Sequence, residues 1–116
     1  MCHYYIAPTT SPDDVTVVDQ TSTSVRICWQ PPNFSGGVIT EYVVLYSTDI
    51  AMMKYLRLSV INGNLCTYIT ELSESTEYFF QVGASTGRGA GPLSKKVRKI
   101  TSKGLFFYNY YCSVEK

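Results

Sequence analysis

The chemistry-bearing side chains of this 116-residue chain concentrate at residues 94–99, Ser-Lys-Lys-Val-Arg-Lys. Lys95, Lys96, Arg98 and Lys99, with Arg88 a little upstream, fit the loose basic pattern that attracts a sulfated glycan through charge and counterion release. The charge distribution points the same way, although the net charge is only +1. Residues 11–77 hold eight acids (Asp13, Asp14, Asp19, Glu41, Asp49, Glu71, Glu74, Glu77) against three bases (Arg26, Lys54, Arg57). Residues 78–103 hold six bases and no acid, an asymmetry that marks a candidate interaction surface. The competing reading is a charged edge strand, because lysines along an edge discourage pairing with another sheet. Both readings stand on the sequence.

Other reactive groups point away from catalysis. The one histidine, His3, lies near the start of the chain, and no Ser or Cys sits in a motif that would supply a base. Gly87-Arg88-Gly89-Ala90-Gly91 has the glycine content of a phosphate-cradling loop, but Pro92 and a strand follow it. The N–H array of a helix start is therefore missing. Cys2, Cys28, Cys66 and Cys112 are widely spaced, with no CxxC and no metal-ligand grouping. These residues imply no enzyme, no metal, no cofactor and no nucleic-acid partner. Asn33-Phe34-Ser35 is an N-glycosylation sequon, so Asn33 is a candidate glycan site in a secreted chain; Asn64-Leu65-Cys66 is a weaker variant. Residues 1–11 contain no apolar run of signal-peptide type, and no run approaches the ~20 residues of a membrane-spanning helix. If the domain works outside the cell, the chain is expected to be a piece of something longer, or its leader is absent.

Positioning of these groups falls to strands. Ten Tyr, five Phe and one Trp, with few helix-favouring runs, favour β-structure. In residues 69–84, Tyr78, Phe80, Val82 and Ala84 alternate with Phe79, Gln81 and Gly83. Leu72 stands six residues before Tyr78, the spacing of a tyrosine corner whose hydroxyl returns to the backbone upstream. Val25, Ile27 and Trp29 alternate before Pro31-Pro32, where neither proline can donate to a ladder. The longest strand, residues 39–47, directs Tyr42, Val44 and Tyr46 inward and leaves Val43 and Leu45 on an unusually apolar outer face. Further strands are expected near residues 15–18, 56–60, 65–70 and 95–101. Asn62-Gly63-Asn64 carries a tight hairpin signal. Seven short strands without a useful helix predict an antiparallel sandwich around Trp29, Tyr42, Val44, Leu72, Tyr78 and Phe80. Trp29 and Tyr78 are expected to face each other across the two layers. Residues 1–11 read as a linker, 12–103 as the domain, and 104–116 as an aromatic appendage, uncharged over 105–111 and poorly ordered.

Trp29 with Pro31-Pro32, Gly37-x-Ile39-x-x-Tyr42-x-Val44-x-Tyr46, Leu72-x-x-x-Thr76-x-Tyr78, Val82-x-Ala84 and Gly89-x-Gly91-Pro92-x-Ser94 together resemble a fibronectin type III domain. The resemblance implies an all-β, seven-stranded, immunoglobulin-like antiparallel sandwich. Tyr46-Ser47-Thr48-Asp49, Gly63-Asn64 and Gly91-Pro92-Leu93-Ser94 look most like the membrane-proximal repeats of netrin receptors of the DCC/neogenin group. Tyr55 stands where that group usually has Trp, and residues 50–53 are more apolar than expected. The resemblance implies the extracellular part of a plasma-membrane guidance or adhesion receptor, binding a netrin-type protein ligand and heparan sulfate. The rival is a structural repeat of an intracellular multidomain protein, such as a giant muscle protein. Arg88-Gly89-Ala90 replaces the Arg-Gly-Asp that one repeat of this family displays in the same loop, and it lacks the carboxylate that would ligate an integrin's metal ion. In this fold the strands of Cys28 and Cys66 are antiparallel neighbours. The two cysteines either form a disulfide, with Cα atoms roughly 4.4–6.8 Å apart, or remain separate thiols.

Trp29→Ala should cost roughly 3–5 kcal/mol and unfold the domain, which loss of the cooperative transition in chemical denaturation will show.

Overall fold

A computed structural model describes residues 7–33, 36–61 and 63–104. The described residues form eight β-segments: β1 (Asp13–Gln20), β2 (Val25–Gln30), β3 (Ile39–Ser47), β4 (Leu56–Val60), β5 (Cys66–Ile69), β6 (Glu77–Thr86), β7 (Gly89–Ala90) and β8 (Val97–Ile100). One sheet has the order β1-β2-β5. The second has β4-β3-β6, with β7 and β8 both paired to β6. Every pairing is antiparallel. The two layers enclose one apolar core, as the alternation requires.

The seven expected strands are present, and a short extra segment, β7, precedes the last of them, β8, within a Gly-rich stretch expected to be a loop. Pro92 has no N–H to donate to a ladder, and the break is bridged by single bonds. Gly91 N–H donates to the Ala84 carbonyl (2.9 Å) and Ser94 N–H to that of Val82 (2.8 Å), while the buried Ser94 Oγ accepts from Val82 N–H (2.9 Å). Regular strand therefore resumes at Val97, not at the expected residue 95. Residues 7–12 lie along this broken edge, with Pro8 and Pro12 buried. A Cβ on Gly91 would lie 2.7 Å from both the Cβ and the carbonyl oxygen of Pro8, so only glycine fits that approach.

The expected hairpin at Asn62-Gly63-Asn64 is not formed by the flanking strands, and Asn62 lies outside the described residues. Gly63 does adopt a left-handed φ of 72°, but β4 belongs to the second sheet and β5 to the first. The connection is a crossover between layers, which turn chemistry alone does not distinguish from a hairpin.

Trp29, Tyr42, Val44, Leu72, Tyr78 and Phe80 all belong to the core cluster. Trp29 and Tyr78 come from opposite layers, yet Tyr78 is not the ring partner of Trp29. The indole packs on Tyr42 at 5.4 Å between centroids and 57° between planes, a tilted aromatic contact. Tyr78 packs instead on Phe80, at 6.3 Å. The register explains this separation. Val25 pairs with Ile69, close to the Leu72–Tyr78 corner, whereas Trp29 lies four residues farther along β2, about 13 Å away. Burial also raises the pKa of the Tyr42 hydroxyl above 10.0, because the phenolate would lose its hydration.

At the corner, the Tyr78 hydroxyl accepts from Ser73 N–H at 2.8 Å. Leu72 N–H donates to the Thr23 carbonyl, also at 2.8 Å, tying the corner to the other sheet. Leu45 and Phe79, on the outer face of the second sheet, are nonetheless buried, at 8% and 6% exposure. Their cross-strand partners are Arg57 and Arg98, whose aliphatic stems are long enough to cover them.

Tyr78→Phe keeps the ring but leaves Ser73 N–H without its acceptor. We expect a loss of about 1–3 kcal/mol, read as a lower denaturation midpoint at unchanged slope.

Candidate interaction surface

β8 and the residues before it carry the basic cluster, and all four of Lys95, Lys96, Arg98 and Lys99 are exposed. Their surroundings differ. Arg98 is paired with Phe79 across the ladder, which places it on the outer face, and its Nε forms an ion pair with Glu77. Lys99 pairs with the inward-facing Tyr78, so it turns toward the seam between the sheets and lines a recess with Val17, Val18, Asp19 and Gln20. Lys95 lines a second recess on the same seam, with Asp13, Asp14 and Val15. Acidic residues of β1 and β6 therefore stand beside three of the four cations. Lys96 projects from the segment ahead of β8. Arg88 is not part of the cluster. It follows Thr86 at the far end of β6, whereas Arg98 pairs with Phe79; seven residues of strand span about 23 Å.

Cys28 and Cys66 are directly opposite on β2 and β5 and joined as a disulfide, with a Cα separation of 4.0 Å. That lies just under the expected range. Both are half-buried on the outer face of the first sheet, where Arg26 lies over the exposed Tyr68 ring, its guanidinium carbon 5.7 Å from the centroid. Asn33 is exposed in the bend after β2. Phe34 and Ser35 of its sequon, and the appendage from residue 105 onward, lie outside the described residues.

A second surface escaped the sequence reading, although the apolar character of residues 50–53 pointed to it. The loop between β3 and β4 is folded around Asp49. Its Oδ1 accepts from Ala51 N–H (3.0 Å), its Oδ2 from Met53 N–H (3.1 Å), and its own N–H donates to Ser47 Oγ (2.9 Å). Ser47 Oγ in turn donates to the Lys54 carbonyl. These bonds hold Met52 at a left-handed φ of 56°, a conformation that persists only when its surroundings impose it. The loop consequently presents Met53, Tyr55 and Leu56 to solvent at 80%, 51% and 63% exposure. Beside them a groove of about 440 Å³ opens between this loop and the Leu72–Tyr78 corner, floored by Tyr46, Leu72 and Tyr78. Fixed backbone and exposed apolar side chains are the makings of a contact surface.

Comparison with known proteins agrees with this architecture. The family described as "Fibronectin type III domain" matches residues 10–100. Human neogenin is 35% identical over 104 residues, covering 86% of this chain and 7% of neogenin. Human netrin receptor DCC is 33% identical over the same length, again with 86% of this chain and 7% of the receptor covered. The chain thus spans less than a tenth of these curated relatives. Among solved structures, the FN1–FN3 domains of chicken CNTN1 superpose with a TM-score of 0.73 at 29% identity, covering 84% of this chain and 33% of that one. Domains A168–A170 of titin superpose with a TM-score of 0.73 at 27% identity, with the same shares covered. Core, tyrosine corner, strand order and these matches lead to one assignment: the chain belongs to the fibronectin type III family, and its sequence is similar to the repeats of netrin receptors.

Proposed function

We propose that this domain is an extracellular interaction repeat of a plasma-membrane guidance or adhesion receptor and that it recognises a netrin-type protein ligand. The observation that carries this reading is the Cys28–Cys66 disulfide on an otherwise well-cored sandwich. Disulfides of this kind persist in oxidising compartments, whereas an intracellular repeat of the titin type gains nothing durable from them. Similarity to neogenin and to netrin receptor DCC supports the same compartment and the same class of ligand. The mechanism is presentation by a rigid scaffold. Loops and edges are fixed by the sandwich, and affinity arises from contacts at its rims without covalent chemistry.

The domain, produced through the secretory pathway, should show Cys28 and Cys66 inaccessible to alkylation by intact mass and should bind immobilised netrin saturably. Two alkylated core-strand thiols with no netrin binding would instead place it among intracellular structural repeats.

Binding of a sulfated glycan is a second reading, favoured by the exposure of Lys95, Lys96, Arg98 and Lys99. The neighbouring acids make the site weak, and Glu77 competes directly for Arg98. On heparin resin the wild type should elute at modest salt. Replacing Lys95, Lys96, Arg98 and Lys99 by Ala should bring elution earlier, and Glu77→Gln should delay it, because the freed guanidinium can reach the polyanion. Co-elution of all three proteins would reduce the cluster to a solvated edge.

A further inference from the structure

We propose that β4 is a self-pairing edge: two copies of this domain associate by antiparallel addition of β4 to β4, joining their five-stranded sheets into one. The pairing requires neither the netrin-type ligand nor the glycan considered above.

Among the described residues, each sheet has two free edges, along which alternate backbone N–H and C=O groups face outward. Three of these edges are defended in standard ways. β1 has two register shifts against β2 and carries Asp13, Asp14 and Asp19. β5 is only four residues long. The edge formed by β7 and β8 contains Pro92 and is lined by Lys95, Lys96, Arg98 and Lys99. β4 has none of these defences. Its five residues pair with β3 without a shift. Residues 55–61, Tyr-Leu-Arg-Leu-Ser-Val-Ile, contain no proline, no lysine and no acid. The single charge, Arg57, is engaged within its own chain, by Glu41 at 3.7 Å and by Ser59 Oγ at 3.2 Å. Tyr55, Leu56 and Ile61 are nonetheless exposed at 51%, 63% and 57%.

Register identifies the second copy as the occupant. Arg57 and Ser59 lie opposite Leu45 and Val43 on the outer face, and Leu56, Leu58 and Val60 lie opposite the core-facing Tyr46, Val44 and Tyr42. Two-fold pairing of β4 with itself must keep these faces on their own sides, so only residues of equal phase can stand opposite. A pairing centred on Arg57 would set one guanidinium against the other. Centred on Ser59, it would set Arg57 against Ile61 and Tyr55 against Gly63. Centred on Leu58, it sets Tyr55 against Ile61, Leu56 against Val60 and Arg57 against Ser59, each of them twice. The first is an aromatic–β-branched pair, among the favourable cross-strand combinations. The second covers Leu56, and the third offers each guanidinium a hydroxyl acceptor with no like charge opposite. Every exposed apolar side chain of residues 55–61 thus gains an apolar partner from the same seven residues of the second copy. Because the other edges are defended, the association closes at two copies and does not propagate.

The full 116-residue chain with Cys2→Ser and Cys112→Ser allows a direct test. Tyr55→Cys and Ile61→Cys are made as separate variants, because in the Leu58-centred register like positions lie six residues apart, about 20 Å. Mixed under mild oxidation, the two variants should form an interchain disulfide at least about ten-fold faster than either variant alone, since only the mixture sets thiols directly opposite. Ser59→Lys, which places an ammonium opposite Arg57 of the second copy, should weaken self-association in sedimentation equilibrium about ten-fold. Ser59→Glu should strengthen it, and neither change should alter the far-ultraviolet circular dichroism. A chain that stays monomeric up to about 1 mM would overturn the proposal and leave this edge to another protein's strand. Cross-linking no faster in the mixture would overturn it, as would equal association of Ser59→Lys and Ser59→Glu.

Discussion

The hydrogen bond from Ser73 N–H to the Tyr78 hydroxyl pins the chain where it crosses from one layer to the other. It operates at the end of an apolar core, where an unmatched donor is costly. Around it a set of bonds gathers three separate parts of the chain. Leu72 reaches Thr23, Thr101 reaches Ser73 and Thr76, Ser75 N–H donates to the Ser102 carbonyl, and Ser102 N–H donates to that of Thr21. The crossover into β6, the end of β8 and the turn before β2 are thereby fixed together. The shape of the groove under the corner follows from this arrangement.

Electrostatics in the molecule is governed by strand neighbours and not by sequence neighbours. The acid-free run at residues 78–103 appears uniformly basic in one dimension. In three, Arg98 lies beside Glu77 of β6, while Lys99 and Lys95 line recesses with Asp19, Asp13 and Asp14 of β1. At the effective dielectric of a protein surface, neighbours this close moderate the field that a distant polyanion experiences. The same arrangement protects the sheet edge with charge, one of the standard defences against edge-to-edge pairing. Edge protection and a weak anion site are compatible roles for these residues.

The apolar surface lies elsewhere, on a loop with no charge run and no motif. Its order depends on one carboxylate that accepts two backbone N–H groups, and a groove lined by Tyr46, Leu72 and Tyr78 opens beside it. Local hydrogen bonding of this kind can fix a loop without burying it. That combination suits a recognition repeat, because rigid exposed side chains bind at lower entropic cost than mobile ones.

Residue types and their period-two spacing determined the layer architecture, the core membership of Trp29, Tyr42, Val44, Leu72, Tyr78 and Phe80, and the tyrosine corner, because burial acts directly on each side chain according to its phase. Pairing of Cys28 with Cys66 was legible only as far as the fold made their strands adjacent. Tertiary structure alone decided which ring meets Trp29, that β4 and β5 belong to two sheets and not to one hairpin, that a short extra segment precedes the last strand, and that Arg88 stands apart from the other cations. Each of these depends on register and on side-chain contacts between residues distant in sequence, and a one-dimensional pattern fixes the face of a residue without fixing its partner.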